Sequence, residues 1–126
     1  MSVIVENIFW ILIVCGTLNL STIIFLFAPA AAFRASFGET WPNSPGATIV
    51  ARTAGAMIAA VGVLLILAAF EPQMRLWVLI FASVGKLVFA GSILGQAGRY
   101  RGTQAFSAAI VDLLMVALFM TYLVAR

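Results

Sequence analysis

The chain has 126 residues, of which 64% are hydrophobic and only 9% are charged, and its formal net charge is +3. A soluble domain has roughly half apolar and a quarter charged residues, so this composition excludes an ordinary water-soluble globule. Disorder is also excluded, because disordered chains are poor in hydrophobic residues and rich in charge. The class that remains is an integral membrane protein, predicted as a single transmembrane domain over residues 1–126.

The residue counts restrict the chemistry further. Histidine is absent and Cys15 is the one cysteine, which excludes His-ligated haem, the usual zinc sites, iron–sulfur clusters and Ser/His or Cys/His catalytic pairs. We therefore expect no metal, no cofactor and no enzymatic activity. The basic residues are scattered without interleaved aromatic residues, so the positive charge indicates membrane topology rather than nucleic-acid binding.

Four apolar blocks follow one another along the chain. Each has roughly 21–24 residues, enough for a slightly tilted helix across ~30 Å of hydrocarbon. All four are predicted to be helices, because an open sheet in lipid would leave backbone groups unpaired. The first block is not a typical signal peptide, since it is too long and no positive charge precedes it. The predicted fold is all-α, an integral membrane antiparallel four-helix bundle with spans at 7–28, 47–70, 73–95 and 104–124.

The connections differ in length and character. Spans two and three are joined by the short hairpin Glu71-Pro72, whereas the first loop has roughly 18 residues, which is long for a compact bundle. In this loop Phe33, Phe37 and Trp41 recur at every fourth position. That spacing favours a short interfacial helix ended by the following prolines; an aromatic-rich surface loop is the alternative.

Arginines near the span ends predict the orientation. Loops one and three carry Arg34, Arg99 and Arg101, whereas the opposite side carries Arg75 and Arg126. By the positive-inside rule, loops one and three are expected in the cytoplasm and both termini outside.

Each span carries one polar group in the same half of the membrane, and together these groups form a predicted polar layer. Asn19, Lys86 and Asp112 are each roughly 12–14 Å deep at the helical rise of about 1.5 Å per residue, and Arg52 is shallower. Charges in a span are costly, so we expect Lys86 and Asp112 to pair. Arg52 either extends to the membrane surface or reaches Asp112 as a second donor. Small residues on the same helical faces indicate that these faces point inward.

Two interpretations of the polar layer stay open. It is either a buried ion pair that fixes the register of the helices, or a polar-floored pocket for a ligand or partner that opens toward loops one and three. The expected rim of such a pocket comprises Trp41, Gln96, Tyr100 and Gln104.

Short motifs extend over nearly the whole chain: Arg52-Thr53-Ala54-Gly55, the later Gly62, a Pro-containing hairpin, Gly85-Lys86, and Asp112-Leu113-Leu114 followed by Phe119. In these the chain resembles the DoxX-like/BphX-like group of small bacterial four-helix membrane proteins. The resemblance implies a four-span protein of the bacterial cytoplasmic (inner) membrane with polar positions at Arg52, Lys86 and Asp112. Some members are associated with quinone-linked or aromatic-degrading oxidoreductase systems. The resemblance implies no catalytic residues.

The sequence therefore predicts a non-enzymatic membrane protein, either an accessory or assembly subunit or a binder of a small quinone- or lipid-like molecule. Its expected partners are membrane lipid and either another membrane subunit or a second copy of itself, with no nucleic acid. The alternative is a proton- or solute-translocating protein that acts as an oligomer.

Overall fold

The computed structural model describes residues 2–39 and 44–126, and every regular element in these two ranges is helical. Four helical segments are long and apolar enough to cross a membrane, which confirms the predicted number. Their ends lie within two residues of the predicted ones. They are span 1 (Ile8–Phe27), span 2 (Pro45–Phe70), span 3 (Pro72–Leu94) and span 4 (Gln104–Ala125).

Shorter segments complete the description. Span 1 is α-helical over Ile8–Leu20 and Ile24–Phe27, with a 3₁₀ turn at Ser21–Ile23 between them, and span 3 opens with a 3₁₀ turn before its α-helix at Arg75–Leu94. Short helices outside the spans are Ser2–Glu6, Pro29–Phe37 and Ala97–Tyr100.

Spans 2 and 4 begin at side-chain caps. The Ser44 hydroxyl accepts a hydrogen bond from the Ala47 amide at 3.1 Å, and the Thr103 hydroxyl accepts one from the Phe106 amide at 3.3 Å. Serine and threonine are favoured at this position because they satisfy amides that have no partner within the helix. These caps fix where the two spans start.

The helix in the first loop ends earlier than the sequence predicts. It runs over Pro29–Phe37, and Gly38 closes it in the left-handed conformation, with a φ of 70°. Glycine is favoured there because it has no Cβ, so the glycine ends the helix before the prolines do. The rings of Phe33 and Phe37 stack with their centroids 4.8 Å apart, as the spacing of the two residues predicts. Trp41 lies outside the described residues.

Glycines bring spans 1 and 2 into close contact. A Cβ added to Gly62 would lie 2.6 Å from the carbonyl oxygen of Gly16, and one added to Gly55 would lie 2.6 Å from Cβ of Phe25. Small residues allow such close approach, which is how helices associate in lipid without a hydrophobic driving force. The Gly62 contact also includes Cβ of Asn19, 3.0 Å away, so this packing holds Asn19 in place.

Two apolar clusters fill the interior. The larger one lies toward the chain termini and draws on all four spans; its most enclosed members are Leu12, Leu65, Leu79 and Phe119. The smaller one lies toward loops one and three, between spans 3 and 4, and consists of Ala90, Ile93, Ala105 and Ala109. The level of Asn19, Lys86 and Asp112 falls between these clusters.

The hairpin between spans 2 and 3 is held by Arg75. Its Nε donates to the Ala68 carbonyl at 2.8 Å and its Nη2 to the Ala69 carbonyl at 2.9 Å. Its Nη1 donates to the Tyr122 hydroxyl at 3.3 Å. Arg75 therefore satisfies carbonyls in the last turn of span 2, where the helix has no amide donors left, and links this end to span 4.

Replacing Gly62 with alanine tests the contact between spans 1 and 2. The added methyl group would force the two backbones apart, and overpacking of this kind costs about 1–3 kcal/mol. We expect Gly62→Ala to lower the thermal unfolding temperature in detergent micelles.

Gly85→Ala is the matched control, since a Cβ there meets nothing within 4 Å. Alanine is the better helix former, so this change should leave the unfolding temperature unchanged or raise it. Equal destabilisation by both substitutions would contradict the close contact.

Candidate functional site

Three side chains from three spans meet in the interior, and we call them the polar triad: Asn19, Lys86 and Asp112. Lys86 Nζ donates to Asn19 Oδ1 at 2.8 Å and to Asp112 Oδ1 at 2.9 Å. Lys86 is 6% exposed, Asn19 7% and Asp112 19%. An isolated ammonium group in such surroundings would lose its charge, so it needs these acceptors.

Two atoms of the triad have hydrogen-bonding capacity to spare. Within residues 2–39 and 44–126, Asn19 Nδ2 and Asp112 Oδ2 make no hydrogen bond. Neither belongs to the fully enclosed polar atoms without a partner, so both reach the surface of the molecule. The Lys86 ammonium group uses two of its three N–H donors, and the triad is incomplete on its outer side.

The spans that carry these two atoms contact each other only loosely. Span 1 packs mainly against span 2, and span 3 mainly against span 4. Contact between the first and last helical segments is concentrated at Ser2–Glu6, the helix before span 1. Close backbone contact between spans 1 and 4 is therefore sparse beyond that terminal helix.

An apolar groove of about 270 Å³ lies between spans 1 and 4. Its lining combines four residues of span 1 with one of span 4: Trp10, Ile11, Val14, Cys15 and Leu118. Cys15 lies one helical turn before Asn19, and both belong to the buried residues of span 1. No triad residue lines the groove, which begins one helical turn from Asn19 and extends toward Trp10.

One enclosed hydroxyl lies beside the triad without a partner. Ser83 is 4% exposed, and its Oγ makes no hydrogen bond to the described residues. Ser83 precedes Lys86 by one turn of span 3, on the same buried face. The polar character of the site therefore extends one turn beyond the ion pair, toward the chain termini.

Arg52 is not part of this arrangement. It is exposed on span 2, and it contacts none of the three triad residues. Side chains lean toward the N-terminus of their helix, which for Arg52 is the end at the first loop. Of the two predicted positions, extension to the surface agrees with the structure and donation to Asp112 does not.

A separate and larger cavity lies at the level of loops one and three. It has a volume of about 650 Å³ and is lined by Phe37, Phe89, Ser92, Ile93, Gln96, Arg99 and Tyr100. No triad residue is among its described lining residues, and the lining shares Ile93 with the smaller apolar cluster. The interpretation of the polar layer as the floor of a pocket that opens toward loops one and three therefore stays a prediction.

The four residues expected at the rim of that pocket have different positions. Tyr100 and Gln96 line the cavity. Gln104 is exposed at the start of span 4 and is absent from the lining. Trp41 lies outside the described residues.

A loop clasp, formed by Glu39, Arg99 and Tyr100, borders this cavity. Glu39 Oε2 accepts a hydrogen bond from Arg99 Nη2, and Glu39 Oε1 accepts one from the Tyr100 hydroxyl at 2.8 Å. The hydrogen bond from Tyr100, followed by the Arg99 contact, lowers the pKa of Glu39 below its usual 4.5. The same hydrogen bond raises the pKa of Tyr100 above its usual 10.0, because it favours the protonated phenol.

Sequence reasoning missed three of these features. The clasp joins residues about sixty positions apart, and only the folded loops bring them together. The groove that Cys15 lines between spans 1 and 4 depends on helix rotation and could not be predicted either. The unpartnered Ser83 hydroxyl has no sequence signature at all.

Separating the two charges tests the ion pair. Lys86→Met leaves Asp112 without its cation in apolar surroundings, which should destabilise the protein by about 3 kcal/mol. The double variant Lys86→Met/Asp112→Leu removes both charges and should recover most of this loss. Thermal unfolding in detergent measures both, and a double variant no more stable than Lys86→Met would contradict the pairing.

The loop clasp predicts a defined pH range. The stabilisation of the folded state by the ionised Glu39 carboxylate is complete above pH 4.5. It is lost as the pH falls through the lowered pKa of Glu39. The Tyr100 contribution to the clasp is complete below pH 10.0 and is lost as the pH rises through the raised pKa of Tyr100. A Tyr122→Phe background leaves Tyr100 as the one tyrosine, so its ionisation can be followed by ultraviolet absorbance. In this background Glu39→Gln should lower the pKa of Tyr100. An unchanged pKa would show that the clasp does not form.

Comparisons with protein-family models, with curated proteins and with solved structures found no match to this chain.

Proposed function

We propose that this protein is a non-enzymatic membrane protein that binds a small lipophilic molecule with a hydroxyl group, of a quinol- or lipid-like kind, at the polar triad. One observation carries the proposal: Asn19 Nδ2 and Asp112 Oδ2 reach the surface without a partner. In hydrocarbon an unsatisfied polar group costs several kcal/mol. A bound molecule that pairs with both atoms removes this cost.

The two atoms define the chemistry of the ligand. An ionised carboxylate oxygen only accepts hydrogen bonds, and an amide nitrogen only donates them. A hydroxyl group does both, so one hydroxyl can donate to Asp112 and accept from Asn19. A ligand with carbonyl groups alone satisfies Asn19 but places its oxygen against the Asp112 carboxylate, which is unfavourable.

The apolar groove fits the rest of such a molecule. Its lining is almost entirely hydrocarbon and begins at Cys15, one turn from Asn19. A head group at the triad would therefore direct an alkyl or isoprenoid chain along span 1 toward Trp10. The groove is open to the surface of the molecule, which provides a route of entry from the bilayer.

The proposed setting is the bacterial cytoplasmic membrane, with the four spans as an antiparallel bundle and loops one and three in the cytoplasm. Support comes from the apolar length of the helices and from the arginines at the ends next to loops one and three. The resemblance to the DoxX-like/BphX-like group, some members of which are associated with quinone-linked systems, is compatible with a quinol and stays a prediction.

Translocation is the weaker candidate. A pathway needs polar groups on both sides of the triad, but the larger apolar cluster fills the half toward the termini. A single chain therefore offers no polar route through its described interior, and translocation would require an oligomer.

Binding can be tested with a phenol that carries a brominated alkyl chain, in proteoliposomes. The bromine atoms quench tryptophan fluorescence at contact distance, and Trp41→Phe/Trp77→Phe leaves Trp10 as the one reporter. We expect saturable quenching. The methyl ether of the same phenol, which donates no hydrogen bond, should bind about tenfold more weakly.

Two variants localise the effect. Asp112→Asn should weaken phenol binding by about tenfold, whereas Glu6→Gln, which alters a carboxylate outside the spans, should not. Equal binding of the phenol and its ether would contradict the proposal. Absent quenching, together with an Asp112→Asn variant that changes the oligomeric mass, would show instead that a protein subunit satisfies the triad.

A further inference from the structure

The cavity beside loops one and three is built differently from the groove near the triad. Its deeper wall is aromatic and aliphatic, with Phe37, Phe89 and Ile93, and its outer edge is polar, with Gln96 and Arg99. A volume of about 650 Å³ lies within the range of roughly 300–1,000 Å³ that is typical of ligand pockets. The cavity is therefore amphipathic and of ligand size.

Its depth matches the boundary between head groups and acyl chains. Phe89 lies five residues before the end of span 3 at Leu94, roughly 8 Å deeper at the helical rise of about 1.5 Å per residue. Gln96 and Arg99 follow immediately after that end. A molecule in this cavity would place its apolar part against Phe89 and its polar part beside Arg99.

Arg99 retains binding capacity. One terminal nitrogen of its guanidinium group contacts Glu39, but the side chain is 65% exposed and a guanidinium group has further N–H donors. Such donors match phosphate oxygens in geometry and charge. Arg34 and Arg101 lie at the same end of the molecule and are exposed, so the local field attracts anions despite Glu39.

We propose that this cavity binds one anionic phospholipid, with the phosphate at Arg99 and the start of an acyl chain against Phe37 and Phe89. The apolar wall favours a lipid over a free phosphate ion, which would leave that wall empty. In the orientation proposed above, loops one and three lie beside the cytoplasmic leaflet, where anionic lipids give a negative surface potential. This site is independent of the ligand proposed for the triad, since no residue is shared.

The test is a titration of the detergent-solubilised protein with phosphatidylglycerol, followed by native mass spectrometry. We expect one saturable site, with phosphatidylcholine binding more weakly. Arg99→Gln should weaken phosphatidylglycerol binding by about tenfold. Arg101→Gln is the matched control, because it removes the same charge from the same loop and lies outside the cavity.

A second control separates lipid binding from the loop clasp, which Arg99→Gln also breaks. Glu39→Gln removes the ion pair but keeps Arg99, so it should leave lipid affinity unchanged or increase it. Equal losses in Arg99→Gln and Arg101→Gln, or a loss in Glu39→Gln as large as that in Arg99→Gln, would overturn the assignment. So would glycerol phosphate competing as well as the intact lipid.

Discussion

The structure depends on how one ammonium group is satisfied among helices that are otherwise hydrocarbon. Lys86 is buried, and its amino group needs acceptors that apolar side chains and the bilayer do not supply. Spans 1 and 4 each provide one, through Asn19 and Asp112. This requirement fixes the depth and rotation of three helices relative to one another, and it places the polar triad between two apolar clusters.

The distribution of small residues explains why span 1 packs closely against span 2 and makes few close backbone contacts with span 4. Gly16, Gly55 and Gly62 let span 2 approach until backbones touch, which holds Asn19 from that side. Comparable contacts between spans 1 and 4 are concentrated at the terminal end. The outer atoms of Asn19 and Asp112 consequently remain open, and this asymmetry turns a structural ion pair into a candidate binding site.

The sequence predicts the helical class and the four spans, because length and hydropathy alone determine them. The depths of Asn19, Lys86 and Asp112 could also be counted, since the helical rise is constant. The position of Arg52 and the separation of the cavity from the triad could not be predicted. They depend on helix rotation and on how far Ala90 and Ala109 let spans 3 and 4 close. The Glu39 clasp depends on loop conformation, which has no periodic signal.

Solid-state NMR in lipid bilayers provides the most direct measurement, because the chain contains a single lysine and a single aspartate. Labelling lysine with ¹⁵Nζ and aspartate with ¹³Cγ reports on the pair without any substitution. The account predicts a dipolar coupling that corresponds to the 2.9 Å contact between Lys86 Nζ and Asp112 Oδ1. The absence of a measurable coupling would contradict it.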